Sequence, residues 1–118
     1  MMTAADFPGR LRELRRRKGR VVVVDPVRTR TAAASDEHLP IRPGTDALWL
    51  GSLAHLVTQH TRLAAAEPWI DSAQWDQVTS GLADFSPEAT AVFTGIDAAV
   101  TRRIAQELLD APSAAVYG

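Results

Sequence analysis

A chain of 118 residues is long enough for one domain with one modest core and too short for two. With no cysteine it has neither a disulfide framework nor a thiolate metal site, and 46 % apolar with 23 % charged residues is ordinary for a globular protein. The net charge of −1 hides an asymmetry, because nine of the thirteen Lys and Arg residues lie in the first thirty positions beside three acids, leaving four bases and eleven acids for the rest.

The first element predicted is a helix from Phe7 to Lys18, with Phe7, Leu11 and Leu14 on one face, arginines on the others and Gly19 as its stop. The run Arg15-Arg16-Arg17-Lys18 reads as a solvated helix face, with Glu13 placed to pair with Arg17, rather than as a nucleic-acid footprint. The four apolar residues after Arg20 are too few for a signal peptide, and no apolar run reaches the roughly eighteen residues of a membrane span. Val21–Val24 is an uninterrupted β-branched run, the pattern of a strand covered on both faces, and Asp25-Pro26 ends it because proline removes a ladder donor. Thr29–Ala34 reads as a short helical turn and Glu37–Ile41 as a second strand.

Pro43-Gly44-Thr45-Asp46 is a turn opening the longest helix, Asp46–Thr61, whose apolar residues on nearly every side predict burial all round. A helix over Ile70–Thr79 with Gly81 as a stop follows, in the least legible region. Ser86 reads as an N-cap with Pro87 at the first helical position and Glu88 complementing the dipole, for a helix that Gly95 closes after Thr94. Asp97 caps the next helix, Ala98–Asp110, where Val100, Ile104 and Leu108 form a stripe, and Pro112 precedes a last strand, Ala114–Tyr117. Strands alternating with helices predict a single α/β domain, a three-layer, mostly parallel sheet flanked by helices and Rossmann-like.

In open α/β sheets ligands bind outside the carboxyl ends of the strands, and Asp25 sits at such a tip. Its carboxylate could accept from a ribose hydroxyl pair or from guanine, or serve only the Asp-Pro turn. Arg28 and Thr29 share its loop, where one could reach a phosphate and the other offer a hydroxyl, and either could equally be solvated. Gly44 fits a backbone position needing positive φ, or an ordinary Pro-Gly turn. Asp46 could pair with two donors of guanine, or simply favour the first turn of its helix. His38, His55 and His60 do not share the spacing of a metal site, and Gly-x-Gly-x-x-Gly and phosphate-loop signatures are absent.

The ordered set Asp25-Pro26-x-Arg28-Thr29-x-Thr31-Ala32, Ser35-Asp36 and Leu39-Pro40-Ile41-Arg42-Pro43-Gly44-Thr45-Asp46 resembles a segment of the molybdopterin oxidoreductases of the dimethyl sulfoxide reductase superfamily, which includes formate dehydrogenases and nitrate reductases. The resemblance continues through Phe85-Ser86-Pro87-Glu88, Thr94-Gly95-Ile96 and Arg103-Ile104-Ala105, and so runs from about Phe7 to Gly118. It implies a partial cofactor-binding domain of a larger enzyme whose bis(molybdopterin guanine dinucleotide) cofactor carries molybdenum or tungsten. Asp25, Arg28, Thr29, Gly44 and Asp46 would then hold the guanine dinucleotide end, with no catalytic or metal-binding residue in this chain.

The resemblance further implies that the remaining domains of the enzyme are the chain's partners, and that the chain alone binds no cofactor and turns nothing over. Apolar surface around Trp49, Trp69 and Trp75 and the edge at Ala114–Tyr117 would drive self-association. The competing expectation is a non-catalytic α/β interaction or oligomerisation module.

Overall fold

A computed structural model describes residues 6–60 and 71–117, which fall into two compact units, Met1–Ile41 and Arg42–Gly118. In the first unit, helix α1 spans Phe7–Arg16, with Asp6 capping it by accepting from the Gly9 amide at 3.2 Å and Leu11 as its buried residue. The helix stops two residues short of the predicted Lys18, because Lys18 itself takes a left-handed φ of 61°. The Gly19 amide then bonds the Leu14 carbonyl at 2.9 Å, and a Cβ on Gly19 would lie 2.6 Å from Leu14 Cγ, so the close return of the chain needs glycine there.

Strands β1, Val22–Val24, and β2, Glu37–Leu39, pair in parallel with Val22 opposite Glu37, Val23 opposite His38 and Val24 opposite Leu39. Between them lies helix α2, Arg30–Ala34, capped by Thr29, whose Oγ1 accepts from the Ala32 amide at 3.2 Å. Residues 25–36 make a crossover close to the shortest that joins parallel strands. Ala32 is the buried residue of α2, and with Leu11, Leu39 and Ile41 it forms the small core of this unit. β1 departs from its expected burial on both faces, since all three valines are only half-buried and, among the described residues, β1 has one partner strand.

The second unit is helical: α3 spans Asp46–His60, α4 Ser72–Gly81, α5 Pro87–Thr94 and α6 Ala98–Asp110. α3 packs against α4, α5 and α6, and α5 against α6, around Trp49, Leu53, Ile96, Ile104 and Ala105. Small polar side chains share this core: the buried threonines are hydrogen-bonded, while the Ser52 hydroxyl has no partner among the described residues. Thr101 Oγ1 accepts from Trp49 Nε1 at 3.1 Å and donates to the Asp97 carbonyl, while Thr94 Oγ1 accepts from the Ile96 amide. The Phe85 ring lies over Gly51, where a Cβ would come within 2.5 Å of it.

Three expectations change here. α3 is not buried all round: its buried residues are Trp49, Ser52 and Leu53, one i, i+3, i+4 face, and Leu50 is exposed. The buried face of α6 is turned to Thr101, Ile104 and Ala105, leaving Val100 and Leu108 half-buried. Ala114–Tyr117 forms no strand, since a strand needs a ladder partner and among the described residues β1 and β2 pair only with each other. α4 begins at Ser72 with Asp71 as its cap, and residue 70, where a helix was expected to start, lies outside the described residues, as does Trp69. The caps expected at Ser86 and Asp97 and the stop at Gly95, with φ 76°, all form. The result is a helix-rich α/β chain with a two-stranded parallel sheet, narrower than a three-layer architecture requires.

Candidate functional site

Asp25 follows the last residue of β1, where β2 holds both of its backbone polar groups, one through a carbonyl and one through a side chain. Its amide donates to the Leu39 carbonyl at 3.2 Å, and its carbonyl lies 2.8 Å from His38 Nε2. Pro26 offers no amide, so the next donor, Val27 N–H, turns back to Asp25 Oδ1 at 2.8 Å. One carboxylate oxygen is therefore committed to the turn. Arg28 and Thr29 follow in the same exposed loop, and the Thr29 hydroxyl oxygen is engaged in capping α2. The structure thus brings Asp25, Arg28 and Thr29 onto one loop and gives two of the three a local structural duty.

Gly44 and Asp46 lie in the second unit, on the turn that opens α3. Arg42 anchors this turn: its amide donates to the Thr94 carbonyl at 2.9 Å, its Nη1 donates to the Val92 carbonyl, and its own carbonyl accepts from Thr45 Oγ1 at 2.7 Å. The last carbonyls of α5 carry negative partial charge, so a guanidinium there is favourably placed. Gly44 takes φ 78°, and a Cβ on it would meet nothing within 4 Å, so the glycine answers the backbone conformation and not crowding. Asp46 is the exposed first residue of α3, and among the described residues its carboxylate takes part in no hydrogen bond or ion pair.

A cleft of about 360 Å³ in the helical unit is lined by His55, Gln59, Ser86, Glu88, Arg102 and Gln106 among others, and includes neither predicted loop. Its charged groups neutralise one another. The Arg102 guanidinium donates to Glu88 and, with the Glu88 amide, holds that carboxyl below the ordinary range. His55 Nδ1 lies 2.8 Å from the Leu82 carbonyl and so carries the proton there, leaving Nε2 to accept from Gln59 at 3.0 Å. Among the described residues no three His, Asp or Glu side chains converge to hold a metal ion, and no helix is long and apolar enough to cross a membrane.

Two residues that hold the loops escape a reading of the sequence alone. His38 reaches Asp25 through a strand register, and Arg42 reaches α5 across fifty residues, so neither pairing leaves a local pattern.

No protein-family model matches the chain. It is 38 % identical over 90 residues to the menaquinone reductase molybdopterin-binding-like subunit of Nitratidesulfovibrio vulgaris, an alignment covering 76 % of this chain and 12 % of that protein. It is 36 % identical over 101 residues to the assimilatory nitrate reductase of Haloferax mediterranei, covering 85 % of this chain and 14 % of that one. Among solved structures, acetylene hydratase from Pelobacter acetylenicus superposes with a TM-score of 0.74 at 25 % identity, over 86 % of this chain and 14 % of that chain. The chain therefore spans about an eighth of the length of these curated relatives.

Proposed function

We propose that this chain, which belongs to the molybdopterin oxidoreductases and matches one segment of them, anchors the guanine end of a molybdopterin guanine dinucleotide. The observation that carries the reading is the Asp46 carboxylate, exposed on the first turn of α3 with both oxygens uncommitted among the described residues. Two neighbouring N–H donors on one edge of guanine match two oxygens of one carboxylate, a bidentate geometry that a neutral amide side chain meets less well. Gly44, at φ 78°, keeps the preceding backbone free of a side chain. In the other unit, Asp25 has one oxygen engaged by Val27 N–H, which suits it to a single hydroxyl of a ribose more than to a bidentate partner. Arg28 in the same loop supplies a cation for a phosphate, and Thr29 adds a hydroxyl that can still donate while its oxygen caps α2.

Each loop by itself offers groups chemically suited to part of a dinucleotide tail, and in this reading their role is binding and not redox chemistry. When bound, the pterin end would hold the molybdenum or tungsten at which reaction occurs. This chain's residues bind and orient the far end, and the names of the relatives, which include reductases and a hydratase, set no single reaction for it. In this reading β1 and β2 belong to a wider, three-layer Rossmann-like sheet completed by the rest of a larger enzyme, and the chain alone has no turnover. Nitrate- or formate-dependent dye reduction by the purified chain would overturn that last point.

Guanosine diphosphate is the probe for the anchor. Titrated in excess against the 118-residue chain and followed by amide shifts in NMR, it should bind weakly, too weakly for the chain alone to retain the cofactor, yet more tightly than adenosine diphosphate. Asp46→Asn should weaken it by roughly ten-fold or more, the value of a charge-assisted pair, and remove the guanine preference. No binding, or equal binding by Asp46→Asn, would count against the reading. The second reading, an interaction or oligomerisation module, draws on the exposure of Val92 and Phe93 on α5 and Leu50 on α3. It gains if guanosine diphosphate does not bind and sedimentation shows self-association that a Val92→Ser, Phe93→Ser double variant abolishes.

A further inference from the structure

We infer that His38 is a positioning residue for the Asp25 loop, fixing the direction in which the Asp25 carboxylate faces a bound nucleotide. The inference rests on the proposed role of Asp25 and adds a residue to it. Asp25 stands at a point where the chain loses its regular support: β1 has ended, Pro26 has no amide to donate, and α2 does not begin until Arg30. Of the polar atoms of Asp25, the amide is held by the Leu39 carbonyl at 3.2 Å and Oδ1 by Val27 N–H at 2.8 Å. Among the described residues the carbonyl would have no partner but for His38 Nε2 at 2.8 Å. A carbonyl only accepts, so Nε2 must carry the proton.

The geometry makes this bond a brace and not a surface accident. His38 is the middle residue of β2, half-buried and paired with Val23, so the ladder fixes the backbone from which its ring reaches the Asp25 carbonyl. Leu39, the next residue, is buried and grips the Asp25 amide. Two successive residues of β2 thus hold both backbone polar groups of Asp25, which fixes the peptide planes on either side and therefore the direction of Cβ. Without the imidazole, the Asp25–Pro26 peptide can rotate, and the carboxylate loses its aim without losing its charge.

Glutamine separates this role from simple bulk, since its amide nitrogen can stand where Nε2 stands and donate to the same carbonyl. With guanosine diphosphate titrated by NMR, His38→Leu should bind about five-fold more weakly than the native chain, the range of one neutral hydrogen bond, and His38→Gln within about two-fold of it. In the same samples, amide exchange at Asp25 and Val27 should quicken in His38→Leu and not in His38→Gln, while helical circular dichroism confirms that all three chains are folded. Equal affinity in the three chains, or unchanged exchange at Asp25 and Val27 in His38→Leu, overturns the inference. Failure of the native chain to bind the nucleotide overturns the guanine reading instead. The exchange rates then decide by themselves whether His38 holds the turn.

Discussion

The two units of this chain are held together by different means. In Met1–Ile41 the strands are three residues long and, among the described residues, four apolar side chains make the core, so polar contacts carry much of the order. Arg15 Nε donates to Asp36 Oδ1 at 2.8 Å and Arg15 Nη2 to the Ala34 carbonyl at 2.7 Å, tying α1 to the end of α2. Asp36 Oδ2 accepts from the Val21 amide at 2.9 Å, and Arg20 pairs with Glu37. In Arg42–Gly118 an apolar core with satisfied threonines does the work, and its ion pairs lie on the surface. The first unit should accordingly respond to charge and pH, the second to volume.

The largest effect tests the second half of that contrast. Ile104 is buried in α6 at the meeting of α3, α5 and α6. Truncation there removes apolar area and leaves a cavity that helices packed on both sides cannot close. Ile104→Ala should lower stability by about 2–5 kcal/mol, read as the urea midpoint of a helical signal. A loss no larger than that of a surface substitution would mean the helical unit is not organised by its core.

Features written in adjacent residues were legible, and features written in distant pairings were not. Ser86-Pro87-Glu88 with Gly95, and Asp97 ahead of Ala98, are caps whose donors and acceptors lie within a turn of one another, so the sequence contains the whole interaction. β1 and β2 were legible as strands from their residue types, but half-burial of β1 was not, because it depends on how many strands surround it. Ala114–Tyr117 had strand composition and no ladder to join. The apolar circumference of α3 suggested burial that only covering neighbours could supply, and it is the single face through Trp49 and Leu53 that is covered. Of the candidate site, the loops were visible and their braces, His38 and Arg42, were not, since register and tertiary approach create them.

A middling effect tests the first half of the contrast. The Val21 amide, with further help from the Arg15 and Arg20 guanidiniums against a desolvation cost, holds the Asp36 carboxyl below its ordinary 3.8. A carboxylate with a lowered folded-state pKa contributes stability that is fully present above its unfolded value, and that contribution is lost as pH falls through the folded value. Asp36→Asn should therefore cost about 1 kcal/mol at pH 7, with solvent screening part of the ion pair. The difference between native and variant urea midpoints should narrow progressively below about pH 4. A difference that stays constant to pH 2 would show that Asp36 acts by shape and not by charge.

The smallest effect is the sharpest control, because it applies the same charge chemistry to the other unit. Glu88 sits in the first turn of α5 and its carboxyl is also held below the ordinary range, first by the hydrogen bond from Arg102, then by its own amide, with the Arg102 charge adding a little. The sign is the same as for Asp36, so any stabilisation exists above the unfolded value and disappears in acid. Yet both side chains of this pair are about half exposed, water competes for every bond they make, and the helices they join are already packed through Thr90, Ile104 and Ala105. Glu88→Gln should leave the urea midpoint at pH 7 within experimental scatter, at low and at high salt, while Asp36→Asn measured alongside moves it. A Glu88→Gln shift as large as that of Asp36→Asn would erase the distinction, since surface charge would then matter as much to the helical unit as to the small sheet.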